Sequence, residues 1–146
     1  MLKILLPTRQ LPIIPKANAA LVLGEMITLL EERGKSWSPV RGLALDKAGR
    51  KADPVYENAT AFSIEGAMHA AAARCGEPLD DTALESVRQR IYMCLPRRWQ
   101  RTNYDFYDLV IQAWEAYIMR SHAEVIKLLR DARASARALA ERPKVF

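Results

Sequence analysis

The stretch SHAEVIKLLRDARASARALAE, residues 121–141, decides the fold. Ser121-x-x-Glu124 has the form of a capping box, in which a hydroxyl and a carboxylate satisfy each other's free backbone N–H groups at a helix start. Behind it, Val125, Leu128, Leu129, Ala132 and Ala136 recur at three- and four-residue spacing, the stripe of a helix with one buried face. Pro143 stops the pattern. The spacing predicts a helix over about 122–141. A rod with one apolar stripe is stable only where other elements cover that stripe.

Working back along the chain, the covering elements are legible. Tyr107, Val110, Ile111, Trp114, Tyr117 and Ile118 form a wide apolar face that predicts a helix from about Tyr104 to Arg120, with Asn103 as its cap. Leu84, Val87, Ile91 and Leu95 predict another, opening at Asp81 or Thr82 with a second box, Thr82-x-x-Glu85, and stopped by Pro96. A third runs from Ser63, a suitable N-cap, to Arg74 before Gly76. Its run of small residues, Ala67 to Ala73, lets a neighbour approach closely and places it at the centre. The first helix spans about Asn18 to Arg33, with Ala19, Ala20, Leu23, Met26, Ile27 and Leu30 inward and Gly34 at the left-handed cap position.

Between the first two helices, Pro39, Gly42, Gly49 and Pro54 break helical continuity. The cluster Asp46-Lys47-Ala48-Gly49 predicts a turn, with a small β-hairpin near residues 40–56. Pro7, Pro12 and Pro15 make residues 1–15 an extended segment, with Leu2–Leu6 able to pair as a short strand. Residues 142–146 form a tail. The expected fold is mainly α: one compact domain of about five helices, with a small β-hairpin between the first two.

At 146 residues, half of them hydrophobic, the chain is long enough to bury a core without metal or disulfide. Its two cysteines, Cys75 and Cys94, make no CxxC pair and read as reduced, small apolar residues. No stretch approaches the roughly 18 apolar residues of a membrane span, and no secretory signal is visible, so the cytoplasm is the expected location. The net charge of +5, from 22 Lys+Arg against 17 Asp+Glu, permits a nucleic-acid partner without requiring one.

No phosphate loop, dinucleotide fingerprint, nucleophile elbow or HExxH motif occurs. Glu65 and His69, four apart, share a helix face. They read as a local polar pair or, with Trp37, as the lining of a small-ligand or hydrolytic pocket. The two lack the further carboxylates and the second histidine pair of a di-iron site, so no metal and no cofactor is expected. His122-Ala123-Glu124 lacks the PCxxC partner of a zinc deaminase, and capping accounts for Glu124. Arg97, Arg98 and Arg101, with Trp99 interleaved, and Arg130, Arg133 and Arg137 at helical spacing are the candidates for nucleic-acid contact. Ordinary surface pairing and a protein interface are the competing readings of the same residues.

Several strings in order carry a resemblance: Glu32-Arg33-Gly34 with Trp37 close behind, Arg41-Gly42-Leu43-Ala44-Leu45-Asp46 with Gly49, Ala59 to Phe62 running into Gly66-Ala67, and Ser121-His122-Ala123-Glu124-Val125-Ile126. Over roughly residues 20–135 the chain resembles a family of small bacterial, phage and plasmid proteins known only as a domain of unknown function. Members often carry Cys just before the Gly-Ala pair and Trp-Asn-Asp ahead of the last helix. Here Ser63 stands near the first place, and Tyr117 to Arg120 replace the second. The resemblance implies one compact domain with a hairpin between its first two helices, and it assigns no catalytic residue. The functional expectation is a non-enzymatic protein-interaction module, self-association included, with nucleic-acid binding and a ligand pocket at Glu65 and His69 as alternatives.

Overall fold

The computed structural model describes residues 14–75, 81–101, 106–117 and 120–141. They form five α-helices, a 3₁₀ helix over Arg97–Arg101 and a small three-stranded sheet, so the fold is mainly α. Helix α1 spans Ile14–Glu31. It starts earlier than the prolines suggested, because Pro15 falls in its first turn, where a missing N–H breaks no intrahelical bond. The expected strand at Leu2–Leu6 and the tail 142–146 lie outside the described residues. Gly34 follows α1 with φ 82°, the left-handed conformation foreseen for it.

The central helix is α1 rather than the alanine-rich one. Val22, Leu23, Met26, Leu29 and Leu30 are all buried on one broad face, while Leu21, Thr28 and Glu31 on the opposite side are exposed. It packs against α5, α3 and α2 in turn. A face that broad is covered by several neighbours at once. The small side chains of α2, Ile64–Arg74, are buried as expected, but they serve to bring that helix close to α1, α4 and the sheet.

Ser63 caps α2. Its backbone is extended and its Oγ accepts from the N–H of Gly66 at 3.0 Å. The same hydroxyl donates to the carbonyl of Leu43 at 3.3 Å. Ser63→Ala is expected to cost about 1–2 kcal/mol, read as a lower urea midpoint at unchanged slope.

Helix α3, Asp81–Met93, buries Leu84, Val87 and Ile91. Helix α4, Tyr107–Glu115, is shorter than the expected 104–120. Its end is fixed from outside the helix: Arg120 Nε donates to the carbonyl of Trp114 at 3.0 Å, and the Arg120 guanidinium lies 4.0 Å from the Trp114 ring centroid. The same carbonyl accepts from the Tyr117 N–H at 3.2 Å, a tight closing turn. Asn103, the expected cap, lies outside the described residues. Helix α5 is His122–Glu141, and both halves of its capping box form. Ser121 N–H donates to Glu124 at 3.0 Å, and Glu124 N–H donates to Ser121 Oγ at 3.1 Å. Leu30, Ile91, Trp114 and Leu128, one from each of four helices, are buried together.

The sheet has strands β1 (Ser36–Trp37), β2 (Ala44–Asp46) and β3 (Ala59–Phe62) in the order β1-β3-β2. β1 runs parallel to β3, pairing Trp37 with Phe62, and β2 runs antiparallel to β3, pairing Ala44 with Phe62. The expected hairpin survives as a single bridge, Leu45 to Lys51, around the Asp46–Gly49 turn. The main partner of β2 is β3, which carries the chain into α2. Among the described residues no helix is long and apolar enough to cross a membrane.

Candidate functional site

Trp37 ends a strand of only two residues, and its ring is buried. The parallel pairing with β3 sets it beside the point where β3 gives way to α2. There its indole Nε1 donates to Glu115 Oε2 at 2.8 Å. The backbone N–H of Ile64, the first residue of α2, donates to the same oxygen at 2.9 Å. Glu115 is the last residue of α4. One carboxylate oxygen therefore ties together β1, α2 and α4, and it also occupies the positive end of α2.

Glu115 is 4% exposed. Burial pushes its carboxyl up to about 7; the two donated hydrogen bonds oppose that shift and the nearby charge of Glu65 adds to it. Oε1 takes no hydrogen bond among the described residues. The residue forms part of the wall of a cleft of about 560 Å³, bounded on one side by Pro39–Leu43 and on the other by Leu109, Gln112 and Ala113 of α4 and by its C-cap Ala116. A buried carboxyl with a displaced pKa at a cleft of mixed polar and apolar lining is an arrangement found at binding sites.

On the far side of the α2 N-terminus lies a second charged group. Glu65 accepts from Arg88 Nε at 3.1 Å and from Arg88 Nη2 at 2.5 Å, while His69 Nε2 stands 3.2 Å away. Arg88 Nη1 also reaches Glu85 at 3.1 Å. Burial raises the Glu65 carboxyl, but the bonds from His69 and Arg88 and the charge of Arg88 outweigh it, and the pKa falls to about 2. A carboxylate held that firmly in its ionised form is a poor proton acceptor near neutrality. His69 lines a separate cleft of about 380 Å³ with Arg41–Ala44 and Lys51–Val55. The fold thus joins Glu65 to His69, as their spacing implied, and commits the Trp37 indole to Glu115.

Comparison with protein-family models, with curated proteins and with solved structures finds no match for this chain.

Arg130, Arg133 and Arg137 line one groove of about 630 Å³ between α5 and α1, shared with Leu21, Gly24, Glu25 and Glu31. Arg130 pairs with Glu31 at 3.0 Å. Acidic side chains thus sit in the groove beside the arginines. Arg97 and Arg98 are exposed on the 3₁₀ helix that follows α3, and the Arg101 side chain lies outside the described residues. Helix α3 packs on the other flank of α5, where Arg90 reaches Ser135 at 3.3 Å. Trp99 stacks edge-on against Tyr117 with ring centroids 5.7 Å apart. Arg97 and Arg98 are not among the residues that line the groove holding Arg130, Arg133 and Arg137.

Glu124 is held by Ser121 and Arg120, and His122 is exposed. Cys75 and Cys94 are free and half-buried, and burial pushes both thiols up, away from the reactive thiolate. Among the described residues no group of three His, Cys, Asp or Glu side chains could hold a metal ion.

Sequence reasoning did not single out Glu115, although a signal was present. Ile111 and Trp114 face the core, and residue 115 follows Ile111 by one helical turn, so a glutamate there falls on the inward side of α4. Leu109 lies on the outward side of α4, and Phe106 and Tyr117 stand just beyond its two ends. Phe106, Leu109 and Tyr117 are each more than half exposed, and Leu43 stands exposed across the cleft from Leu109.

Proposed function

We propose that the protein is a non-enzymatic interaction module whose contact surface is the outer side of α4 together with the Pro39–Leu43 loop. The observation that carries the reading is the exposure of Leu109 on α4, and of Phe106 and Tyr117 just beyond its two ends, while the other face of the helix is already buried in the core. Large apolar side chains grouped on one face mark a site that a partner covers. The cleft beside them supplies the concave, partly polar centre that a docking surface uses for specificity. The resemblance of the sequence strings supports a bacterial or phage origin.

The partner we favour first is a second copy of the chain. Light scattering after size exclusion is expected to show a dimer whose fraction rises with concentration. Leu109→Glu is expected to return the monomer, because a charge on the buried centre of such a contact costs several kcal/mol, about 2–4. A strict monomer at high concentration would remove self-association.

A further inference from the structure

Arg133 is half-buried in the groove between α1 and α5, and its Nε is withdrawn from water with no hydrogen-bond acceptor among the described residues. The backbone of α1 shows how the side chain comes to lie there. A Cβ on Gly24 would stand 3.2 Å from Arg133 Nε, 3.4 Å from Cζ and 3.5 Å from Nη2. Three atoms of one planar group at such similar distances place the guanidinium flat over that glycine. Glycine inside a helix costs about 1 kcal/mol relative to alanine, and here the missing side chain makes room for the cation. A guanidinium has five N–H donors and no acceptor, so a group pressed against backbone offers its remaining donors to the groove. Holding such a charge away from water without a partner is costly, and an anion in the groove offsets that cost.

Arg130 and Arg137 lie three residues before Arg133 and four after it, so the three share one face of α5, and all three line the groove. Two carboxylates stand with them. Glu31 is taken up by Arg130 in an exposed pair at 3.0 Å, which leaves the other donors of Arg130 free. The charge of Glu25 is also felt by Arg74 and Cys75 at the end of α2. Three cations against two carboxylates leave a positive excess, with Arg133 at its middle. At about 630 Å³ the groove has the size of a small-molecule site, and Leu21, 62% exposed, gives it an apolar wall. We propose that the α1–α5 groove binds a small organic phosphate monoester, its phosphoryl oxygens on Arg133 between Arg130 and Arg137 and its carbon body against Leu21. Such a group carries close to two negative charges near neutrality and three strong acceptor oxygens, which planar guanidinium donors match in pairs. A nucleic-acid strand fits less well. Its phosphates carry one charge each along a chain, Glu25 and Glu31 would face it, and Arg97 and Arg98 lie outside the groove. The groove shares no residue with the cleft beside α4, so this site is independent of the contact surface.

The test uses phenyl phosphate as probe, titrated into the full chain at pH 8 and low salt and followed by the ¹H–¹⁵N signals of the residue-24 amide and the Arg133 Nε–H. Saturable shifts of both are expected, with Kd on the order of 1 mM for so small a ligand. Inorganic phosphate, which lacks the ring, should bind the same residues about tenfold more weakly. Benzoate, with one charge, should also be weaker, and phenol should leave both signals in place. Arg133→Gln removes a side chain that strands no partner, so the fold should persist while affinity falls at least about tenfold. Gly24→Ala keeps every arginine but pushes the guanidinium off its seat, and should weaken binding by about fivefold through lost preorganisation. An equal affinity in Arg133→Gln, an equal response to phenol or benzoate, or no shift up to about 50 mM probe would overturn the proposal. So would a salt-sensitive response to a single-stranded oligonucleotide in the absence of one to phenyl phosphate, which would assign the groove to nucleic acid.

Discussion

Replacing Gly66 with alanine is expected to destabilise the fold by about 3–5 kcal/mol, measured as a fall in urea midpoint at unchanged slope. A Cβ on Gly66 would stand 1.8 Å from the carbonyl oxygen of Leu43 and 2.6 Å from its carbon. Both are backbone atoms, and no rotamer relieves the contact. Nor is Leu43 free to retreat: its oxygen accepts from the N–H of Ser63 at 3.1 Å and from the Ser63 hydroxyl at 3.3 Å. Separating the two segments therefore loosens the α2 cap, the start of β2 and the loop that walls the cleft in a single movement. Gly24→Ala is the contrasting substitution. Its Cβ would meet the Arg133 side chain at 3.2 Å, a flexible group that can shift, and alanine is the better helix former. The net change there should stay within about 1 kcal/mol.

The contrast shows which parts of the molecule were legible in the sequence. α5 was read almost to the residue, because its capping box and its stripe are local signals and both are used. α2 was equally clear from Ser63 onward. The end of α4 was not, because it depends on a guanidinium supplied from beyond the helix, and apolar residues at Tyr117 and Ile118 continue the helical pattern past the stop. The position of α1 at the centre was missed for a related reason. The stripe read from Leu23, Met26, Ile27 and Leu30 is narrower than the buried face, which Val22 and Leu29 widen on one side. The sheet was seen only as its weakest pairing, since a two-residue strand such as Ser36–Trp37 carries no periodicity of its own. The candidate site shares that difficulty. The i, i+4 rule brought Glu65 to His69, but the partners of Glu115 lie 51 and 78 residues away in sequence. No local pattern announces a long-range pairing of that kind.

Stability is expected to be greatest near pH 5 and to fall on both sides, for reasons held in two neighbouring glutamates. In the folded chain the Glu115 carboxyl is raised from an ordinary 4.5 to about 7. The native state therefore keeps a proton there that the unfolded state releases, and stability falls as the pH rises from 4.5 to about 7. The loss is about 3 kcal/mol and is complete above that range. Glu65 has the opposite sign. Its folded value of about 2 lies below 4.5, so its ion pair contributes fully above pH 4.5 and is lost as the pH falls toward 2, again by about 3 kcal/mol. Urea midpoints at pH 3, 5 and 8 should rank pH 5 highest. Glu115→Gln separates the two limbs. It keeps an acceptor for Trp37 and Ile64 but cannot ionise, so it should match the parent at pH 5 and exceed it at pH 8 by about 2 kcal/mol. The acid limb, which belongs to Glu65 and Arg88, should be unchanged in that variant. A parent midpoint at pH 8 equal to or above that at pH 5 would show that the buried carboxyl titrates as an ordinary one.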